Sequence, residues 1–308
     1  MLEYPFGTEK VTKAKKNLER GFTIAIIDML IYGLYPVFSH ILALQIDPLV
    51  FAGVITMIGA IPLLCYLVYI KGFSQLFNPR FLPDLLLIAV LTLSGTLLFF
   101  YGTTKTSGLN TGLLLQIEPF YAVLLAVLLL KEKVTGKQMI AVALMVTGAI
   151  VIVFKGFANI NLGDLMILVT PIFFQFSHLL TRKVLKKGVG FYIVPTARMF
   201  YGGIIMLTLA VVFRPGEWAA LAQPGTILSL VLFGLIFKTI DLILWYKALS
   251  LISVLKASAL LPLTAAVSFM GSLYLLQEVI TWPQVIGLTL LLGGLLFLAQ
   301  QYLSDEKA

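Results

Sequence analysis

Glu118 is followed at once by Pro119 inside a stretch, Leu113 to Lys133, that reads LLLQIEPFYAVLLAVLLLKEK. The stretch is long and apolar enough to cross a bilayer. An ionisable side chain there costs at least about 2.5–3.5 kcal/mol at the helix centre, and a proline removes a backbone hydrogen bond. The two together predict the wall of a cavity rather than a lipid-facing surface. Glu118 stands roughly 10 residues into the span, or about 15 Å at 1.5 Å per residue. A carboxylate at that depth can bind a cationic group of a ligand or carry a proton. Tyr121, one turn on, offers a hydroxyl on the same side. A second acid, Glu132, sits between Lys131 and Lys133, where the chain should reach the membrane surface.

Other polar residues fall inside apolar runs. Lys238 and Asp241 are spaced i,i+3, which places them on one helix face, with Trp245 one turn further. They form either a local ion pair or a pair that exchanges partners with a substrate or a proton. Asp28 shares a face with Tyr32, Tyr35 and Ser39, and either hydrogen-bonds a neighbouring helix or lines a path. Arg198 and Lys256 lie within about two turns of a surface, so each can snorkel outward or form a basic entrance for anionic groups. His178 shares a face with Gln175 and Arg182 and could carry a proton near neutral pH. His40 belongs near the opposite surface. The strings Phe38-Ser39-His40 and Phe176-Ser177-His178 match by accident. No metal-ligand spacing, nucleotide loop or nucleophile elbow occurs. With no acid, base and metal gathered at one depth, the sequence predicts no catalytic residues, cofactor or metal.

These side chains need elements that can hold them in lipid. The 308 residues are 60% hydrophobic and 12% charged, with a mean hydropathy of +1.02. No soluble globular class has that composition. The apolar runs do not alternate with polar residues as barrel strands would, so the spans are helices. The net charge of +8 does not mark a nucleic-acid binder, because the basic residues occupy short loops. The lone cysteine, Cys65, lies in an apolar run and is expected to be a packed thiol. No cleavable signal pattern is present, since the first apolar run is too long and further spans follow.

The spans read as 21–42, 47–70, 83–102, 107–130, 136–154, 162–182, 192–213, 226–247, 250–276 and 283–302. Residues 1–20 form an amphipathic or disordered lead-in, 21–154 a first five-helix repeat, 155–161 a linker, 162–302 a second repeat and 303–308 a tail. With the N-terminus placed inside, loops on that side hold sixteen Lys and Arg against three outside. That bias predicts both termini in the cytoplasm of a plasma or inner membrane.

The halves are related. A shift of 146 carries Leu114 to Leu260, Glu132 to Glu278, Thr135 to Thr281, Gln138 to Gln284 and Gly148 to Gly294. It also carries Glu118-Pro119 onto Thr264-Ala265, so the acid has no twin. Repeats of five helices must be inverted, which puts a ligand site near the midplane between them. The string Gly108-Leu109-Asn110-Thr111-Gly112 has the small-xxx-small spacing that lets helices approach closely.

Several motifs in order resemble the drug/metabolite transporter superfamily, specifically its ten-helix EamA-type branch. Tyr32-Gly33-Leu34-Tyr35-Pro36-Val37-Phe38-Ser39-His40 is similar to the W-G-x-N-x-x-x-x-K pattern of the first span, with Tyr for Trp and His for Lys. Ile117-Glu118-Pro119, then Lys131-Glu132-Lys133, resemble L-E-P followed by G-E-x-x. Gly148, Gly163-Asp164-Leu165, Arg182-Lys183, Arg198, Trp245-Tyr246-Lys247-Ala248-Leu249 and Glu278 continue the match. The resemblance implies an all-α polytopic membrane protein of ten transmembrane helices in two inverted repeats. It also implies a secondary transporter, not an enzyme, that carries a small polar or amphipathic metabolite, amino acid-like substrates included, often outward. A coupling proton fits the acids within the spans. The competing reading is a lipid-linked carrier or flippase, which needs a lateral opening and a head-group site.

Overall fold

A computed structural model describes residues 6–131, 133–154, 161–252, 257 and 260–305. Glu132, Lys256, residues 155–160 of the expected linker and residues 306–308 of the expected tail lie outside the described residues.

Every regular element among the described residues is helical. The chain runs through α1 (Phe6–Ala43), α2 (Pro48–Tyr69), α3 (Leu82–Thr103), α4 (Gly108–Leu115), α5 (Glu118–Leu130) and α6 (Gly136–Val153). The second half continues with α7 (Leu162–Lys186), α8 (Ile193–Phe213), α9 (Pro224–Gly234), a π-helical segment (Leu235–Ile240), α10 (Asp241–Leu249), α11 (Leu261–Leu275) and α12 (Trp282–Asp305). Among the described residues, nine helices, counted through their breaks, are long and apolar enough to cross a membrane, and α11 adds a shorter apolar helix of 15 residues. Helices suit lipid because each satisfies its own backbone groups. The ends use side chains: Asp47 caps α2 through the amides of Leu49 and Val50, and Asn161 caps α7 through Gly163. Residues 6–20, the larger part of the expected lead-in, extend α1 without a break. No proline or tight-turn signal interrupts them.

The packing obeys a pseudo-twofold. The fifth spans of the two repeats, α6 and α12, lie along one another, as do the second spans, α2 and α8. The third span of one repeat packs on the first of the other: α3 on α7, and α10 on α1. Gly148 and Gly294, the pair matched by the 146-residue shift, occupy related positions. A Cβ on Gly148 would come within 2.6 Å of the Gly287 carbonyl, and one on Gly294 within 2.6 Å of the Ala141 carbonyl. Glycine is required at both for the α6–α12 backbones to touch. The glycines at 108 and 112 serve likewise, the latter facing Ser268 of α11.

The fourth span is broken in both repeats, with a register difference that the sequence shift hides. In the first repeat, Ile117 N–H bonds the Leu114 carbonyl and Phe120 N–H bonds that of Ile117. In the second, Leu260 N–H bonds the Ala257 carbonyl and Leu263 N–H bonds that of Leu260. The kinks therefore differ by 143 residues, with Pro119 matched to Pro262. Past the following helices the shift returns to 146, because Lys131 (φ 56°) and Gln277 (φ 54°) take the same left-handed turn. The repeated caps Thr135–Gln138 and Thr281–Gln284 keep that register. Three residues, nearly one turn, are inserted in α11. The kink counterpart of Glu118 is thus Leu261, not Thr264, and the acid remains without a twin.

Cys65 is exposed on α2, which corrects its expected burial. α2 is apolar on every face because lipid, not water, surrounds it, so its composition does not mark which face is packed.

Candidate functional site

Glu118, Lys238 and Asp28 reach the middle of the bundle from three different spans. Each lies about 15–22 Å from either end of its span at 1.5 Å per residue. Asp241 and His178 lie deeper toward the Lys187 end, about 12 Å from it, and Arg198 about 8 Å from it. The Glu118 carboxylate opens α5 and accepts a hydrogen bond from Gln175 Nε2 on α7 at 2.8 Å. Pro119 has no N–H to give the Leu115 carbonyl, so the break leaves backbone polarity at that depth. Gln116, at the same break, exchanges hydrogen bonds with the Thr264 hydroxyl at 3.2 and 3.3 Å. The two broken spans thereby meet.

Of the two readings of Lys238 and Asp241, the local ion pair is not formed. Lys238 Nζ donates to the Tyr35 hydroxyl at 3.2 Å and lies 4.8 Å from the Tyr35 ring centroid. The cause is local. Residues 235–240 are π-helical, and the wider turn rotates Lys238 away from the face of Asp241; such turns gather at functional sites. The segment is pinned where Thr239 Oγ1 donates to the Gly59 carbonyl at 2.9 Å. Tyr35 stacks between Tyr32 and Phe99, at 6.1 and 5.1 Å between centroids, and Phe233 and Phe237 close over it.

Arg198 points inward. It acts by charge on Lys238, Asp241, His178 and Tyr246. Tyr32 is within charge range of Glu118, Asp241 and Asp28. The sequence-selected residues Glu118, Lys238, Asp241, Asp28, Tyr32, His178 and Arg198 therefore share one electrostatic neighbourhood contributed by both repeats. Most keep accessible surface although they lie inside the bundle: Glu118, Tyr32, Arg198, Lys238 and Asp241 are half-buried and His178 is exposed. Charged side chains within membrane spans face the bundle interior or a water-filled cavity rather than lipid.

Two selected residues are not gathered in. The Tyr121 hydroxyl, expected to face the cavity beside Glu118, donates to the Leu168 carbonyl at 2.9 Å and so ties α5 to α7. Trp245 packs into a small apolar cluster with Ala25, Ala248 and Ile252, because α10 rotates it toward α1. His40 is structural, with Nδ1 2.8 Å from the Thr103 carbonyl.

One end of the bundle is closed by bonds between the repeats that the sequence did not reveal. Both carboxylate oxygens of Glu278 accept from the α4 N-terminus, from Gly108 N–H at 2.7 Å and Leu109 N–H at 2.8 Å. Asp164 accepts from Asn110 at 2.9 Å and from Thr106, and Gln284 donates to Asn110 at 2.8 Å. Arg214 and Asp47 pair at 3.1 Å on the same end. Thr103, Thr106, Asn110, Thr111 and Asp164 are buried. The accessible side chains lie instead between Glu118 and the opposite end, where Lys187 pairs with Asp84. The matched positions of Glu132 and Glu278 signalled a shared turn, but not that Glu278 caps a helix of the other repeat.

The EamA-like transporter family model matches residues 19–154 and again 161–300. No curated protein matches the chain. A solved structure described as "Crystal structure of protein" superposes with a TM-score of 0.65 at 15% identity, covering 92% of this chain and 99% of its own; that likeness concerns the fold. Two family matches, one on each inverted repeat of an all-helical membrane bundle, make this chain a member of the EamA-like transporter family.

Proposed function

We propose that the protein exports a small amphipathic metabolite of the amino-acid type across the plasma membrane by alternating access, with both termini in the cytoplasm. The observation that carries the reading is the convergence of opposite charges from both repeats on one accessible region. Glu118 comes from the first repeat, and Lys238 and Arg198 from the second. A zwitterion fits such a region: its ammonium group meets Glu118, its carboxylate meets Lys238 and Arg198, and its apolar part meets the Tyr32–Tyr35 stack. Lys238, held by an aromatic ring and a neutral hydroxyl, is free to change partner.

The closed end supports the outward sense. The loop-charge bias places the Glu278 end outside, so the cavity opens toward the cytoplasm and loads from there. Family membership supports transport, and the outward sense rests on this geometry. The lipid-linked alternative needs a lateral opening with a head-group site. The groove of about 410 Å³ between α1 and α11 is lined by Leu34, Leu263, Ala266, Val267, Met270, Gly271 and Tyr274, with no charged residue. That groove offers a lipid head group no charged partner, which favours the soluble metabolite.

The test is counterflow in proteoliposomes with a panel of labelled amino acids. Wild type is expected to exchange at least one of them. Glu118→Gln keeps the shape and cannot ionise, so it is expected to lose counterflow and gradient-driven transport together. A correctly folded variant with wild-type rates in both assays would remove Glu118 from the site. Exchange of lipid-linked substrates alone would overturn the reading.

A further inference from the structure

We infer that Asp28 is a proton-binding site separate from Glu118, Lys238 and Arg198, the groups proposed to hold the substrate, and that it couples the transport cycle to a proton. Asp28 is 2% exposed. Its Oδ1 is sealed from solvent and has no hydrogen-bond partner, and no ion pair to it occurs among the described residues. Two other acids inside the bundle each accept side-chain hydrogen bonds: half-buried Glu118 from Gln175, and buried Asp164 from Thr106 and Asn110, both at Oδ1 while its Oδ2 has no partner. An isolated charge in such a place costs several kcal/mol unless it is paired, and a proton removes that charge where no side chain among the described residues balances it.

The surroundings deepen the case. The elements packed on α1 bring Asp241, Tyr246 and Lys247 on α10, Lys238 on the π-helical segment, Asp84 and Tyr101 on α3, Tyr274 on α11, and Cys65, Tyr66 and Tyr69 on α2; α4 brings none. Of these, only Asp241 acts on Asp28 by charge, and it is another acid. Two carboxylates within charge range of one another disfavour double ionisation, and Asp241, unlike Asp28, has Lys238 and Arg198 in charge range to balance it. A metal cation does not fit, because hard cations need several oxygen ligands. No group of three or more His, Cys, Asp or Glu suited to a metal occurs among the described residues. Asp28 also lies one turn from Tyr32, which is in charge range of Glu118. That gives the two sites a short electrostatic path.

The coupling part of this inference rests on the transport reading; the proton site does not. The site is read by pH-difference infrared spectroscopy on the full chain in lipid nanodiscs. Wild type is expected to show the carbonyl band of a protonated carboxylic acid that disappears on stepping from acid to alkaline buffer. Asp28→Asn should remove that band and Glu118→Gln should leave it. Asp241→Asn should keep it but move the pH at which it is lost. Asp28→Glu retains an ionisable group and serves if the asparagine variant does not fold: its band should shift in frequency. A band unchanged in both Asp28 variants would overturn the site. For the coupling, proteoliposomes exchanging the labelled amino-acid panel are given a pH gradient. Asp28→Asn should retain counterflow and lose at least tenfold of the gradient-driven acceleration. Retained acceleration would overturn the coupling, whereas absent counterflow in wild type would overturn the transport reading and leave the infrared result standing.

Discussion

Glu278 offers a perturbation whose size can be worked from the structure. Its two oxygens satisfy the first two N–H groups of α4, Gly108 and Leu109, at 2.7 and 2.8 Å. Ser107 takes the third, from Asn110, at 3.0 Å through its side chain, and its carbonyl takes the fourth, from Thr111. The N-terminal donors of a helix have no partner within it, and an anion there also meets the positive end of the helix dipole. Glu278 is half-buried, so solvent weakens each bond. At about 1–1.5 kcal/mol per bond, the low end for charged partners, removing both costs ~2–3 kcal/mol. That corresponds to about 30- to 150-fold in the local opening equilibrium, at 1.4 kcal/mol per factor of ten. Hydrogen exchange by mass spectrometry on nanodisc-embedded protein reads this directly. Glu278→Ala should speed exchange over residues 108–115 by that factor. Glu278→Gln keeps one acceptor but turns its amide N–H₂ toward a donor, so it should fall between alanine and wild type. Exchange in α2, capped separately by Asp47, should not change. Unaltered exchange over 108–115 in the alanine variant would show that the carboxylate does not hold the two repeats together.

Two further outcomes follow from particular contacts. Because Lys238 rests on Tyr35 but still acts on Asp241 by charge without an ion pair, the double variant Lys238→Met/Asp241→Asn should depart from additivity in thermal stability, by less than the ~3–5 kcal/mol that breaking a buried pair costs; full mutual rescue would restore the ion pair. In a Cys65→Ser background, Glu217→Cys should react with an impermeant thiol reagent from outside and Lys186→Cys from inside; both are exposed, and the opposite pattern would invert the orientation.

Much of the architecture was legible in the chain because lipid imposes it. Runs of about 20 apolar residues are the only way to cross a bilayer as helices. The repeat was visible wherever it reuses a local device, as in Thr135–Gln138 and Thr281–Gln284. Glu118-Pro119 also announced itself, since an acid and a proline in lipid both demand compensation. Partners were not legible. Gln175 and Glu118 are separated by 57 residues, and Glu278 and Gly108 by 170. Such pairs depend on how each helix is rotated and where it slides against its neighbours. Helices that are apolar all round carry little trace of that rotation, so Cys65 faced outward and Trp245 and Tyr121 turned to packing roles. A π-helical turn moved Lys238 from the acid three residues away to the ring of Tyr35, and a three-residue insertion moved the counterpart of Glu118 from Thr264 to Leu261. The sequence by itself determined the spans, the inversion and the unusual residues within the membrane. Only the tertiary structure decided which of them meet, because lipid selects helices by composition while helix–helix contacts select by shape.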